Sequence, residues 1–329
     1  MTYAVYGLGN ALVDIEVEVD DTFLSREQIT KGHMTLIDSA RMQQLLDALG
    51  ELPQRRASGG SAANTVYAVQ SFGHETCYVC KVADDETGRF FIDDLAASGV
   101  QINRSAKSDE GTSGRCLVMV SPDAQRSMTT DLGISSELST SDIQQDALRQ
   151  SRYFYVEGYL SSSPASTEAA IACREIAQDA NVAVSVSLSD PSMVEFCRDS
   201  LKTILGNGVD QVFCNAEEAM AWARTDRLDV AISELKDIAP ELYVTLGAQG
   251  SVAVSKHGHQ TAQGEPAHAI DTTGAGDIFA GACLAARCHS ASPLDAARFA
   301  NRCAAVLVGQ YGARLPSPAA YAALGKQFT

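Results

Sequence analysis

From about residue 150 onward, short runs rich in β-branched and aromatic residues alternate with longer stretches whose apolar positions follow a helical period. Segments 153–157, 182–188, 211–214 and 242–246 read as strands, and 164–180, 192–205 and 216–223 as helices that open on prolines or capping residues. This alternation predicts a largely parallel sheet with helices on both faces, and two further helices, about 276–287 and 293–310, near its end.

The first 130 residues follow another pattern. Strand-like pieces at 11–19, 33–38, 115–121 and 126–130 are interleaved with strand–helix units at 62–72, 76–82 and 87–98. The return to isolated strands predicts a small β-sheet lid, from about 11–38 and 112–131, inserted discontinuously into a single α/β domain spanning 1–329. No low-complexity linker and no internal repeat interrupts it.

Composition narrows the function classes. At 45% hydrophobic and 20% charged residues, the chain has the make-up of a globular protein. Its 25 Lys and Arg stand against 41 Asp and Glu, a net charge of −16 with no basic run, which argues against a nucleic-acid surface. Nine cysteines, odd in number and scattered through apolar segments, suit the reduced thiols of a cytoplasmic protein. Cys77 and Cys80 have redox or zinc spacing but sit inside an apparent strand without a second ligand pair, so they read as structural. The N-terminus lacks the basic region of a signal peptide, and no apolar run approaches the ~18 residues of a membrane span.

Asp271 to Asp277, D-T-T-G-A-G-D, carries the clearest chemistry. A glycine turn entering a small-residue helix presents free N–H groups and the positive end of the helix dipole around one carboxylate. The N–H groups of Gly274, Ala275 and Gly276 can hold negative charge on a transferring phosphoryl group, and Asp277 can take a proton from an attacking hydroxyl; a plain capped turn is the other reading. Asp14, leaving an early strand, reads as an acceptor of two hydroxyl hydrogen bonds or as a turn acid. Gly59 and Gly60 allow close approach of backbone to a ligand, with Asn64 one turn inside the following helix; a serine-capped loop is the alternative. Asn215 and Glu218, three apart on one helix face, read as holding a hydrated Mg²⁺ or as an ordinary cap. Thr245, Gly247 and Gly250 end a strand in a glycine turn, either a nucleotide contact or a hairpin. Arg115 and Arg126 flank an apparent hairpin, where a lid arginine would meet phosphate charge and a solvated arginine would not.

In this order, G-N-A-L-V-D, S-G-G-S-A-A-N-T, K-V-A-D-D-E-T-G-R-F-F, N-A-E-E-A, T-L-G-A-Q-G, D-T-T-G-A-G-D and Y-G-A-R resemble the ribokinase/PfkB-type family of ATP-dependent carbohydrate and nucleoside kinases over nearly the whole chain. Cys283 stands where that family has another apolar residue. The resemblance implies a ribokinase-like three-layer α/β sandwich with a mostly parallel central sheet and a small β lid. It implies Asp277 as catalytic base and Gly274, Ala275 and Gly276 as anion hole. Asn215 and Glu218 would position Mg²⁺, and Thr245, Gly247 and Gly250 would border ATP, with Asn301 near the adenine. Asp14, Gly59, Gly60 and Asn64 would bind the acceptor hydroxyls. Asp271, Thr273 and Gly312 match positions at which many members bind a monovalent cation, usually K⁺.

The stretches S-L-S-D-P-S-M-V-E-F-C and V-F-C-N-A-E-E-A look more like the adenosine kinase branch, in which Tyr159 would stack on a purine; the G-G-S-A-A-N form also occurs in sugar kinases. Expected partners are therefore a small nucleoside or sugar, with ribose, fructose and 2-keto-3-deoxygluconate as the sugar alternatives. No nucleic acid or membrane is expected, and the chain is a monomer or a homodimer paired through its lids. A binding protein that keeps the fold without turnover is the alternative outside enzymes.

Overall fold

Both faces of the long strands are apolar because both are covered. The computed structural model describes residues 2–104, 110–123, 125–326 and 328. Its strands are β1 (Tyr3–Leu8), β2 (Leu12–Glu18), β3 (Met34–Leu36), β4 (Gln54–Gly59), β5 (Thr76–Cys80), β6 (Gln101–Arg104) and β7 (Gly114–Val120). They continue with β8 (Arg126–Asp131), β9 (Ser151–Glu157), β10 (Ala183–Ser187), β11 (Gln211–Asn215), β12 (Glu241–Thr245), β13 (Gly250–Ser255) and β14 (Gly258–Gln263). Nine of these form one sheet in the order β14-β13-β12-β11-β10-β9-β1-β5-β6, parallel except for the antiparallel β12-β13-β14 edge.

Strand alternation divides the core in two. Val5, Tyr153 and Tyr155 face a cluster built with the helices Ser61–Ser71, Ala275–Cys288 and Pro293–Leu307. Tyr6, Leu8, Phe154 and Val156 face a second cluster built with Pro164–Asp179, Arg198–Leu205 and Leu228–Lys236. The result is the expected three-layer sandwich. Cys77 and Cys80 fall into opposite clusters, so their sulfurs point to opposite faces and share no ligand site. The segment 192–205, read above as one helix, is two, Pro191–Phe196 and Arg198–Leu205, breaking at Cys197.

The second sheet, in the order β3-β8-β7-β2-β4, forms the lid. β4 lies outside the two expected lid segments and pairs antiparallel with β2, placing Ala57 opposite Asp14. Ile15, Val17, Leu117 and Met119 on the outer face pack with Phe23, Leu24, Met42 and Leu45 from the helices Asp21–Arg26 and Ser39–Leu49, a core of the lid's own. The alternate residues Leu12, Asp14 and Glu16 face a cavity under the lid. No helix among the described residues is long and apolar enough to cross a membrane.

Candidate active site

The cavity, of about 900 Å³, lies outside the carboxyl ends of β1, β9, β10, β11 and β12. Open α/β sheets place ligands there because the strands end facing helix N-termini. At its centre is Asp277, in the first turn of Ala275–Cys288. This helix is rich in alanine and glycine because it is wedged against Ser61–Ser71: a Cβ on Gly281 would lie 2.7 Å from Ala68 Cβ and 2.8 Å from the Thr65 carbonyl. The close crossing brings Ser61 Oγ within 2.6 Å of Asp277 Oδ1 and Asn64 Nδ2 within 3.0 Å of Oδ2, both donating. Burial pushes Asp277 up to about 6, against the hydrogen bonds from Ser61 and Asn64 and the charge of Arg314. A carboxylate so placed can serve as a base near neutral pH.

Gly274 caps this helix at φ 74°, a left-handed conformation that glycine adopts without strain, and no side chain caps it. Among the described residues, no acceptor meets the N–H groups of Gly274, Gly276 or Asp277, whereas Ala275 N–H donates to the Thr272 carbonyl at 3.2 Å. Of the expected trio, Gly274 and Gly276 thus keep free N–H groups and Ala275 does not. The turn that aims the loop takes up Ala275, and Asp277 N–H stands in the free first turn instead.

At the lid end, Asp14 faces the cavity across from Asn64 and Asp277. Burial pushes Asp14 up to about 7, opposed by Arg314 and reinforced by Asp277. Gly59 does not line the cavity but makes room for Asp14, since a Cβ there would fall 2.4 Å from its carboxylate. Gly60 (φ 92°) passes so close to the Asn10 carbonyl that a Cβ would meet it at 2.4 Å. Leu12, Met34, Leu36, Val118 and Met128 of the lid's inner face complete an apolar wall beside Asp14.

At the opposite end, Asn215 caps Ala216–Ala223: its Oδ1 accepts from Glu218 N at 2.8 Å and its Nδ2 donates to Glu218 Oε1 at 2.6 Å. Burial pushes Glu218 up to about 7, with Asp190 adding to the shift. Among the described residues no Lys or Arg pairs with Glu218. A buried carboxylate with a second acid nearby and no counter-charge, facing the cavity, suits a hydrated Mg²⁺. Thr245 and Gly247 line this end, but Gly250 and Asn301 do not. Gly250 makes the β12–β13 turn, and Asn301 Nδ2 donates to the Ala262 and Gln263 carbonyls, tying Pro293–Leu307 to β14.

Three other expected residues sit differently. Tyr159 lines the cavity, but its ring packs against the core and its hydroxyl donates to the Ser189 carbonyl at 3.5 Å. Arg115 does not line the cavity: Asp131 lies opposite it in the β7–β8 register and takes its Nη2 at 3.2 Å. Arg126 lines the cavity with its guanidinium bound to Glu16 and Asp271. Asp271, Thr273 and Gly312 do come together, around the Asp271 carboxylate.

Some site residues carried no role in the sequence reading. Arg314, known only as the end of Y-G-A-R, donates from Nε to Asn64 Oδ1 at 2.8 Å and from Nη1 to Asp94 at 2.9 Å, over the Tyr67 ring. Its Nη2 is buried without a partner among the described residues. Glu157, 1% exposed, accepts from Asn10 N, Asn10 Nδ2 and Ala62 N and so fixes the start of Ser61–Ser71. A lone arginine after Gly-Ala and an acid ending an apolar strand were the available signals.

The family model for pfkB family carbohydrate kinases matches residues 50–320. The crystal structure of adenosine kinase from Sinorhizobium meliloti superposes with a TM-score of 0.91 at 34% identity, covering 100% of both chains. A probable sugar kinase from Rhizobium etli CFN 42 superposes with a TM-score of 0.91 at 32% identity, covering 99% of this chain and 98% of that one. Probable fructokinase-5 of Arabidopsis thaliana is 30% identical over 80% of this chain and 86% of its own length. A family match across most of the chain, on a fold that sets the DTTGAGD carboxylate at the head of a free helix N-terminus, gives the conclusion: this chain belongs to the pfkB family of carbohydrate kinases.

Proposed function

We propose that this phosphotransferase moves the γ-phosphoryl group of ATP to the 5′-hydroxyl of a ribonucleoside, adenosine first. The observation that carries the acceptor is the apolar wall of Leu12, Met34, Leu36, Val118 and Met128 beside Asp14, which suits a flat base next to a ribose held by its hydroxyls. The likeness to the Sinorhizobium meliloti adenosine kinase over the full length of both chains supports the same reading. In it the base lies against the lid wall, and Tyr159 is left as part of the cavity floor.

Asp14 and Asn64 orient the ribose so that its primary hydroxyl reaches Asp277 in place of Ser61 Oγ. Asp277 accepts the hydroxyl proton as the new P–O bond forms and the bond from the γ-phosphorus to the bridging oxygen breaks, with ADP leaving. The N–H groups of Gly274, Gly276 and Asp277 receive the charge that develops on the phosphoryl oxygens. ATP lies along Thr245, Gly247 and Asn215, with Mg²⁺ held near Glu218 and Asn215, where it would neutralise phosphate charge. The lid's outer face is closed by its own helices, so we read the working unit as one chain.

The polar group of Asn10, Asp14, Asn64 and Arg314 favours a second reading, a sugar kinase acting on ribose, fructose or 2-keto-3-deoxygluconate. ADP release measured with adenosine, inosine, guanosine and these three acceptors separates the two. Turnover with sugars alone would discard the nucleoside.

A further inference from the structure

The Asp271 carboxylate is fully engaged by the protein itself. Its Oδ1 accepts from Thr273 N at 3.0 Å and Thr273 Oγ1 at 2.7 Å. Its Oδ2 accepts from Gly312 N at 2.7 Å and pairs with Arg126 Nη2 at 2.9 Å. Three hydrogen-bond donors and the Arg126 charge thus surround both carboxylate oxygens. The side chains of Asp271 and Arg126 are only 2% and 13% exposed, so the buried Asp271 carboxylate needs the guanidinium, which Glu16 also holds. A monovalent cation bound through this carboxylate, as the family resemblance implies, does not fit: it would have to displace Arg126 or stand beside a guanidinium.

Arg126 reaches this position from β8 of the lid, its Nη2 also donating to Glu16 of β2 at 3.0 Å and its guanidinium lying 5.8 Å from the centre of the Tyr311 ring. Asp271 begins the loop that ends at Gly274 and Ala275, and Gly312 belongs to the segment that packs on it, with Ala313 O 2.5 Å from where a Gly274 Cβ would be. The ion pair therefore joins lid, anion-hole loop and C-terminal segment at one carboxylate.

We propose that Arg126 is the resident cation of the anion-hole loop, a positioning residue that replaces a monovalent metal ion and makes the kinase independent of K⁺. The loop is then set only while the lid holds Arg126 over Asp271, which links lid position to phosphate-site order without any diffusible ion. This rests on the kinase reading but on neither choice of acceptor.

The test compares initial rates and melting temperatures in potassium chloride and in tetramethylammonium chloride at equal ionic strength, for the wild type and Arg126→Gln. The wild type is expected to differ by less than about twofold between salts, with no potassium-specific rise in Tm, while Arg126→Gln loses roughly ten- to a hundredfold in rate without K⁺, the scale of one charged polar contact. Potassium should then restore part of that rate and raise the variant's Tm. Strong activation or stabilisation of the wild type by K⁺ would overturn the proposal. So would an Arg126→Gln protein that melts like the wild type and gains nothing specific from K⁺ in rate or Tm. If the variant does not fold, the wild-type comparison alone decides, and because melting needs no acceptor, a wrong substrate assignment leaves the result readable.

Discussion

Asn64 and Asp277, 213 residues apart in sequence, meet at 3.0 Å, the amide of one donating to the carboxylate of the other. The contact exists because two helices cross without side-chain bulk between them, and it leaves the Asp277 carboxylate aimed into the cavity with donors on both oxygens. Replacing Asp277 by Asn should lower kcat by roughly a hundredfold or more, the scale of lost general-base catalysis, while ATP binding measured by calorimetry is kept. Turnover near normal would remove Asp277 from the role of base.

The raised pKa of Asp277 fixes the acid side of the rate profile. The base works only when ionised, so kcat/KM for the acceptor should rise with pH through about 6 and then level. Stability runs the other way. The folded state holds this proton more tightly than the unfolded chain, so its contribution is full below the ordinary carboxylate range and is lost as pH rises through about 6. Asp277→Asn should therefore melt higher than the wild type at pH 8, by roughly a few degrees, with the gain vanishing toward pH 4. Melting curves at the two pH values check the sign.

Arg314 fixes which way the Asn64 amide points, since Nε donates to Asn64 Oδ1 and leaves Nδ2 for Asp277. Its charge also holds Asp277 down. Arg314→Met should cost about ten- to a hundredfold in kcat/KM and move the acid limb to higher pH. Arg314→Lys should keep the limb near its original position. An unshifted limb in the Met variant would reduce Arg314 to a packing residue.

Arg115 gives the contrasting case. Paired with Asp131 inside the lid, it should matter for folding and not for chemistry. Arg115→Met leaves a 4% exposed carboxylate side chain without its cation, and about 3 kcal/mol of stability should be lost. KM for ATP should stay unchanged. A large rise in that KM would return Arg115 to the phosphate.

Gly281 tests the helix crossing itself. A Cβ at 2.7 Å from Ala68 Cβ forces the helices apart, so Gly281→Ala should cost about 1–3 kcal/mol in a denaturant titration. It should also lower kcat more than it changes ATP affinity, because the displaced part is the Asn64–Asp277 pair.

The sandwich was legible because its strands are buried on both faces and its helices carry caps and prolines at their starts, as at Pro164 and Pro293. β4 was not, because Q-R-R-A-S-G lies at a sheet edge with exposed arginines and shows no apolar alternation. In the site, residues bound to a local backbone need were readable: Gly60, Gly274 and the Asn215 cap each announce a geometry within a few residues. Arg314 and Arg126 were beyond that reach, since Arg314 finds Asn64 across 250 residues and Arg126 finds Asp271 from another sheet. Arg115 and Arg126 look alike as flanks of one hairpin, and only the register that sets Asp131 opposite Arg115 tells them apart.

The lid has its own packed interior of Phe23, Leu24, Met42, Leu45, Leu117 and Met119, and the same sheet carries Asp14 and the apolar wall on its other side. On the proposed reading, Asp14 and the apolar wall that meet the acceptor belong to a cassette with independent packing, whereas Asn64, the base and the anion hole belong to the sandwich. Residues such as Met34, Leu36 and Met128 can change without disturbing the buried frame that holds Asp277. Substrate preference in such a molecule is free to drift over evolutionary time while the phosphoryl chemistry stays fixed.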